Sequence, residues 1–172
     1  MITYRKITQN ELDINYFVSF KHNQRWSRQW IKQDNVWMLK QIEGSRSWSF
    51  EKRAWISEYL KEQIQNGGFA IGAFQDDKII AFVCVSGKIM DDYANLTMLF
   101  VDDDFKRLGI GRKLFEIAKK EALRSGAKKL FISAISSEET ILFYFAVGCK
   151  DAEKVIFDFV DTDKDRYLEI SL

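Results

Sequence analysis

The apolar and polar positions change period several times along the chain, and each change marks an element. Alternation over residues 2–7 predicts a short strand. Thr8 and Glu11 then have capping-box spacing and predict a helix carrying Leu12, Ile14, Tyr16, Phe17 and Phe20. All five tryptophans fall between Trp26 and Trp55, interleaved with Arg25, Arg28, Lys32, Arg46, Lys52 and Arg53. That stretch reads as helical with a loop near Gly44 and Ser45, and a helix through Ala54, Ile56, Tyr59, Leu60 and Ile64 ends at Gly67 and Gly68. Residues 69–74 and 79–85 are β-rich runs separated by Gln75 to Lys78, a hairpin signal, and residues 94–101 form a third strand after Asp91 and Asp92.

A glycine-bearing loop follows and feeds an amphipathic helix with Leu114, Phe115, Ile117, Ala118, Ala122 and Leu123 on its apolar side. Residues 129–135 form a buried strand, Ser136 and Glu139 open a short helix ending at Gly148, and residues 155–160 and 166–172 close the chain as a second hairpin. The sum is a single α+β domain over residues 1–172: a mixed, mostly antiparallel sheet of about seven strands with helices on both faces.

Composition narrows the functional classes. With 172 residues and 47% hydrophobic side chains the chain fills one core. Its 26 basic and 25 acidic residues nearly cancel, which argues against a nucleic-acid partner. Cys84 and Cys149 lie in apolar segments and read as free buried thiols, and a single histidine, His22, argues against a metal centre; His22 itself reads as a surface or helix-end residue. The first ten residues hold no continuous apolar run, so neither a signal peptide nor a membrane anchor is expected, and the cytoplasm is the expected compartment.

The chemistry concentrates in Lys106-Arg107-Leu108-Gly109-Ile110-Gly111-Arg112, which follows an apolar strand and opens a helix. Two glycines let a ligand approach the backbone, and the first-turn N–H groups point outward at the positive end of the helix dipole, a geometry that binds pyrophosphate. For a lone Gly-x-Gly, an ordinary helix start is the better reading. The dinucleotide fingerprint needs a small residue where Leu114 stands, and the P-loop's Gly-Lys-Ser/Thr triplet is absent.

In this context the loop resembles the signature of the GNAT superfamily of acyl-CoA N-acyltransferases: Gln or Arg, two variable residues, Gly, a variable residue, then Gly or Ala. Lys106 departs from its first position. A second block, residues 136–149, is similar to the family's later helix, with Cys149 where the family usually has Phe. The resemblance covers roughly the last three-fifths of the chain. It implies an acceptor side within about residues 1–66, expected as helices, and a coenzyme A-binding core over residues 67–172. Between the splayed fourth and fifth strands, residues 94–101 and 129–135, it implies a cleft for acetyl-CoA as co-substrate without a metal.

By position, the resemblance places Leu99, Phe100, Val101, Lys106, Arg107, Leu108, Gly109, Ile110, Gly111, Arg112, Ser137 and Phe143 against the cofactor and makes Tyr144 the general acid. Asn95 stands where some members carry a catalytic glutamate; a water chain, or Asp91 or Asp92, is then the candidate proton acceptor, though both aspartates read more readily as plain turn residues. The activity implied is transfer of an acetyl group to a primary amine of a small molecule or peptide by direct attack in a ternary complex; homodimers are frequent in the family. Two other readings stand beside it: a coenzyme A-binding regulatory module without catalysis, and an interaction domain whose glycine loop is only a helix cap. The tryptophans read mostly as cover for the sheet, with an aromatic acceptor pocket as the alternative.

Overall fold

Asp34–Asn35, Asp76–Asp77 and Asp91–Asp92 all hold positive φ, and each pair is a two-residue turn between antiparallel strands in the computed structural model, which describes residues 1–172. Short side chains that tolerate this conformation set the register of three hairpins. The first joins β2 (Asn23–Gln33) to β3 (Val36–Ser47) in a separate two-stranded sheet. The other two link β4 (Phe69–Gln75), β5 (Lys78–Met90) and β6 (Tyr93–Val101). With β1 (Ile2–Lys6), β7 (Lys129–Ala134), β8 (Lys150–Asp151) and β9 (Arg166–Ser171) these complete a seven-stranded sheet in the order β1-β4-β5-β6-β7-β9-β8. Only β6 and β7 run parallel.

Three helices cover this sheet, each at a place where the sequence predicts one. α1 (Phe50–Gln65) is capped by Ser49, whose hydroxyl accepts from the Lys52 amide, and buries Ile56 and Leu60 with Phe17, Phe20, Trp48 and Phe82 on one face. α2 (Ile110–Arg124) and α3 (Glu138–Ala146) pack on the other, where Leu114, Phe115, Ile141 and Tyr144 meet Val83, Leu130 and Ile132. Each large side chain removed from water contributes about 2–3 kcal/mol. No helix is long and apolar enough to cross a membrane. Both cysteines are free and buried, as expected, and burial pushes each thiol up to about 12.

Three segments differ from their sequence prediction. Residues 23–47 form the β2–β3 hairpin instead of a helix: Asp34–Asn35 supplies the turn, and Trp26, Trp30, Ile31, Val36, Trp37 and Ile42 favour extended backbone on either side of it. Gly44 is specified there: the Trp26 ring lies 2.3 Å from where a Cβ would stand. After Thr8, only a 3-10 turn at Gln9–Glu11 forms, although the Thr8 amide does donate to Glu11 at 2.7 Å. The Asp13 carboxylate accepts from the Asn15 amide at 2.8 Å, a local turn that competes with helix continuation. Residues 155–160 contain a 3-10 turn, Phe157–Phe159, and no strand, because Lys150 and Asp151 already occupy that edge of β9.

Beneath that turn Glu169, 1% exposed, accepts from the Tyr93 hydroxyl at 2.6 Å, the Glu153 amide at 3.2 Å and the Lys129 ammonium at 3.2 Å. Burial works against its charge; these donors outweigh it and hold the carboxyl below its usual range. The stabilisation is therefore present above the unfolded-state pKa of about 4.3 and is lost as pH falls below it. Glu169→Ala leaves the Tyr93 hydroxyl without its carboxylate and is expected to cost about 2–3 kcal/mol. In a thermal melt at pH 7 that is a fall of roughly 5–10 °C. The deficit should shrink at pH 3; equal deficits at both values refute the ionic account.

Candidate active site

β6 and β7 stay paired for only three residues, Tyr93 to Asn95 against Lys129 to Phe131. Beyond them β6 keeps β5 on one edge, with Leu99, Phe100 and Val101 opposite Val83, Phe82 and Ala81, while its other edge has no strand partner. A bulge at Thr97 reverses the alternation within β6: Leu96 faces the α2 side and Met98 the α1 side. Leu99 and Val101 therefore pack toward α2 and Phe100 toward α1.

At the end of β6 the buried carboxylate of Asp102 accepts from the Lys21 amide at 2.9 Å and the Asp104 amide at 3.0 Å, fixing the exit of the strand. Arg107 and Gly109 then take positive φ, 61° and 77°, and α2 begins at Ile110. Gly109 provides no side-chain cap, so the first-turn amides of Ile110, Gly111 and Arg112 have no partner in the chain. Nothing lies within 4 Å of the position a Gly109 Cβ would take, whereas a Cβ on Gly111 would meet Val101 and Phe143 at 3.4 and 3.5 Å. The result is an open row of donors beside the split, and its donor set suits a diphosphate.

Lys106 turns away from that row. Its ammonium lies 2.6 Å from Asp103, whose other carboxylate oxygen accepts from the Asn23 amide at 2.7 Å. Burial opposes the charge on Asp103, but Lys106 and Asn23 hold its carboxyl below the usual range. Arg107 and Arg112 have no carboxylate partner. Ser137 is wholly buried as the N-cap of α3; its hydroxyl accepts from the Gln24 amide nitrogen at 3.3 Å and donates to Thr140 at 2.8 Å.

Tyr144 lies on the α2–α3 face, edge-on to Phe143 and Phe115 at centroid separations of 5.2 and 6.2 Å. Its hydroxyl makes no hydrogen bond in the chain, and burial raises the phenol, so it is protonated at neutral pH. His22 is buried and not at the surface. Its ring sits between Trp48 and Phe100, and burial, reinforced by Lys106, pushes it down to about 4, so it is neutral.

Asp91 and Asp92 are turn residues paired with Lys154 and Lys128, at the end of β6 away from the split. The sequence reading passes over a different carboxylate. Asp165, 5% exposed, accepts from the Ser133 hydroxyl at 2.7 Å, and that hydroxyl accepts from the Asp161 amide at 3.0 Å. Among the tryptophans, Trp48 lies in the α1-side core. Trp30 and Trp37 stack on the buried Arg166 guanidinium at 4.9 and 4.8 Å, which fastens the β2–β3 hairpin to the sheet, and Trp55 lies half exposed on α1.

A split between parallel strands beside an uncapped helix start defines a sheet built to take a ligand end-on between two strands. A family model described as acetyltransferase (GNAT) domain matches residues 10–158, and the chain belongs to that family. It is accordingly an acetyl-CoA-dependent N-acetyltransferase. Among solved structures, a protein assigned as a streptothricin acetyltransferase from Bacillus anthracis, in complex with acetyl coenzyme A, matches with a TM-score of 0.76 and 16% identity over 100% of this chain and 99% of that one. Nourseothricin acetyltransferase matches with a TM-score of 0.72 and 14% identity, covering 99% and 98%. The ribosomal-protein-S18-alanine N-acetyltransferase of Escherichia coli gives 0.59 and 20%, covering 99% and 91%. These are likenesses of fold. No curated protein matches the chain by sequence.

Proposed function

We propose that the chain transfers the acetyl group of acetyl-CoA to a primary amine of a small molecule or peptide, by direct attack of the amine in a ternary complex. The observation that carries this reading is the early parting of β6 from β7 beside the unpartnered amides of Ile110, Gly111 and Arg112. The diphosphate of coenzyme A takes those amides, with Arg107 and Arg112 adding charge and Leu108 and Gly109 leaving room, while Phe143 flanks the loop. The pantetheine arm adds to the free edge of β6 as a strand would, through the main chain of Leu99, Phe100 and Val101. The thioester supplies the electrophilic carbonyl, and a main-chain N–H at Leu99 or Phe100 stabilises the oxygen charge that develops on attack.

Tyr144 supplies the proton that the departing thiolate, of pKa about 8.5, takes up. That assignment separates the reading from a coenzyme A-binding module without catalysis. The solved structures of like fold include enzymes named for nourseothricin and streptothricin and one named for a ribosomal protein's alanine, which supports keeping both acceptor kinds. Thiol release from acetyl-CoA, followed with a panel of polyamines, aminoglycosides, amino acids and peptide N-termini, tests the proposal. At least one amine should accelerate release well above the hydrolytic background. Saturable binding of coenzyme A with no acceleration by any amine points to the non-catalytic module instead.

A further inference from the structure

We propose that Asp165 is the general base of the reaction, receiving the proton of the acceptor amine on the α1 face of the split sheet while Tyr144 acts from the opposite face. This deepens the functional reading above and rests on it.

A buried charge ordinarily has a counter-charge or several donors. The other buried charges of this chain obey that rule. Arg166 holds Asp151 by two hydrogen bonds of 2.7 and 2.8 Å, Glu169 has Lys129 and Tyr93, and Asp102 accepts two backbone amides. Asp165 is as deeply placed, at 5% exposed, and has no cation within ion-pairing distance; its side-chain partner is the Ser133 hydroxyl. A carboxylate in that condition can take a cationic partner, and an acceptor amine arrives as one.

Its place in the sheet suits the role. On β7, Ile132 and Ala134 point into the α2–α3 core and Phe131 into the opposite face, so Ser133, between them, projects to the α1 side. It lies two residues beyond Phe131, where β7 has already left β6. On that face the apolar cover is interrupted. Phe82, Met98 and Phe100 belong to one cluster and Tyr93, Phe131 and Phe159 to another. By strand parity, Asn95 of β6 falls between them with Ser133. Tyr59 of α1 packs against the first of these clusters and feels the charge of Asp161. Asn95 and Ser133 thus set polar side chains on this face next to where β6 and β7 part.

Asn95 holds no ionisable group; Asp165, bonded to Ser133 two residues along β7 from Asn95's partner Phe131, holds one. Burial raises its carboxyl, the Ser133 hydroxyl and the Thr162 backbone amide oppose that, and of the charged groups facing it Asp161 raises it further while Arg46 lowers it. A raised carboxyl is a stronger base than an ordinary aspartate. The ammonium docks on Asp165 and gives it a proton. The freed nitrogen lone pair forms the N–C bond to the thioester carbonyl, the nitrogen, now positively charged, releases its second proton to water, and the C–S bond breaks. The thiolate takes the Tyr144 hydroxyl proton on the far side of the sheet. Asp165 then returns its proton to water and the Tyr144 phenolate takes one back, which closes the balance.

Asp165→Asn, assayed with the fastest acceptor of the amine panel, should lower kcat/KM by about 10²–10³-fold at pH 7 with coenzyme A affinity unchanged by calorimetry. Its rate should then rise about tenfold per pH unit toward the amine's own pKa near ~10, because only amine already deprotonated can react, while the unmodified chain reaches a plateau. Ser133→Ala keeps the base and removes a donor that lowers its pKa, so the acid limb of its profile should move to higher pH. If Asp165→Asn fails to fold by circular dichroism, that limb decides the matter, and an unmoved limb overturns the proposal. Asp165→Asn turnover within threefold of the parent with a parallel pH profile overturns it too, leaving the acetyltransferase reading in place. Absence of turnover by the parent with every amine overturns that reading and this inference together.

Discussion

Tyr144→Phe is expected to lower kcat by about 10²-fold and leave the dissociation constant for coenzyme A unchanged, because the substitution removes one proton donor and almost no volume. The ring is held by contacts that phenylalanine reproduces: edge-on packing against Phe115 and Phe143, and the apolar core it shares with Ile141 and Ile132. Its hydroxyl has no partner in the chain, so no buried acceptor is orphaned and the fold should lose less than about 1 kcal/mol. Burial raises the phenol, so over pH 6–9 the donor is wholly protonated and the loss should be nearly independent of pH. Stopped-flow measurement of thiol release under single-turnover conditions separates the chemical step from product dissociation. Unchanged single-turnover rates remove Tyr144 from the mechanism. A matching loss in coenzyme A affinity makes it a packing residue.

The parts legible in the sequence are those written by residues close together in the chain. The loop at residues 106–112 needs only its own glycines and the helix after it, and α2 and α3 follow from local periodicity. β4, β5 and β6 are announced by their turns, as is β9 by its alternation. The β2–β3 hairpin was misread because its arginines and lysines, spaced among tryptophans, imitate a solvated helix face, while the deciding facts are Asp34–Asn35 and the seating of Trp26 over Gly44. Asp165 was illegible for a different reason. Between Asp161 and the start of β9 it looks like any turn aspartate, and what buries it is the pairing of β7 with β9, which brings Ser133 beside Tyr167 and Asp165 within reach of its hydroxyl. The bulge at Thr97 adds to this, since one extra residue reverses which side chains of β6 face the acceptor side.

Gly109→Val should weaken coenzyme A binding by about 10²–10³-fold, while Lys106→Ala, at the position where this chain departs from the family signature, should change it by less than about threefold. The difference follows from which atoms face the ligand. Gly109 sits at φ 77°, where a β-branched residue is strained by roughly 1–3 kcal/mol, and its missing Cβ leaves clear the space in front of the α2 amides. A valine there either fills that space or turns the peptide that aims the Ile110 N–H outward. Loss of two charge-assisted hydrogen bonds, worth about 1.5–3 kcal/mol each, gives a change of that size after partial compensation by water. Lys106 is tied to Asp103 at 2.6 Å, and Asp103 to the Asn23 amide, so its charge serves the junction between β2 and the end of β6. Removing an ion pair so exposed costs about 0–1 kcal/mol of stability. Calorimetric titration with coenzyme A at two salt concentrations tests both variants. If Lys106→Ala loses as much affinity as Gly109→Val, a side chain holds the diphosphate; if Gly109→Val binds like its parent, the ligand does not use the helix start.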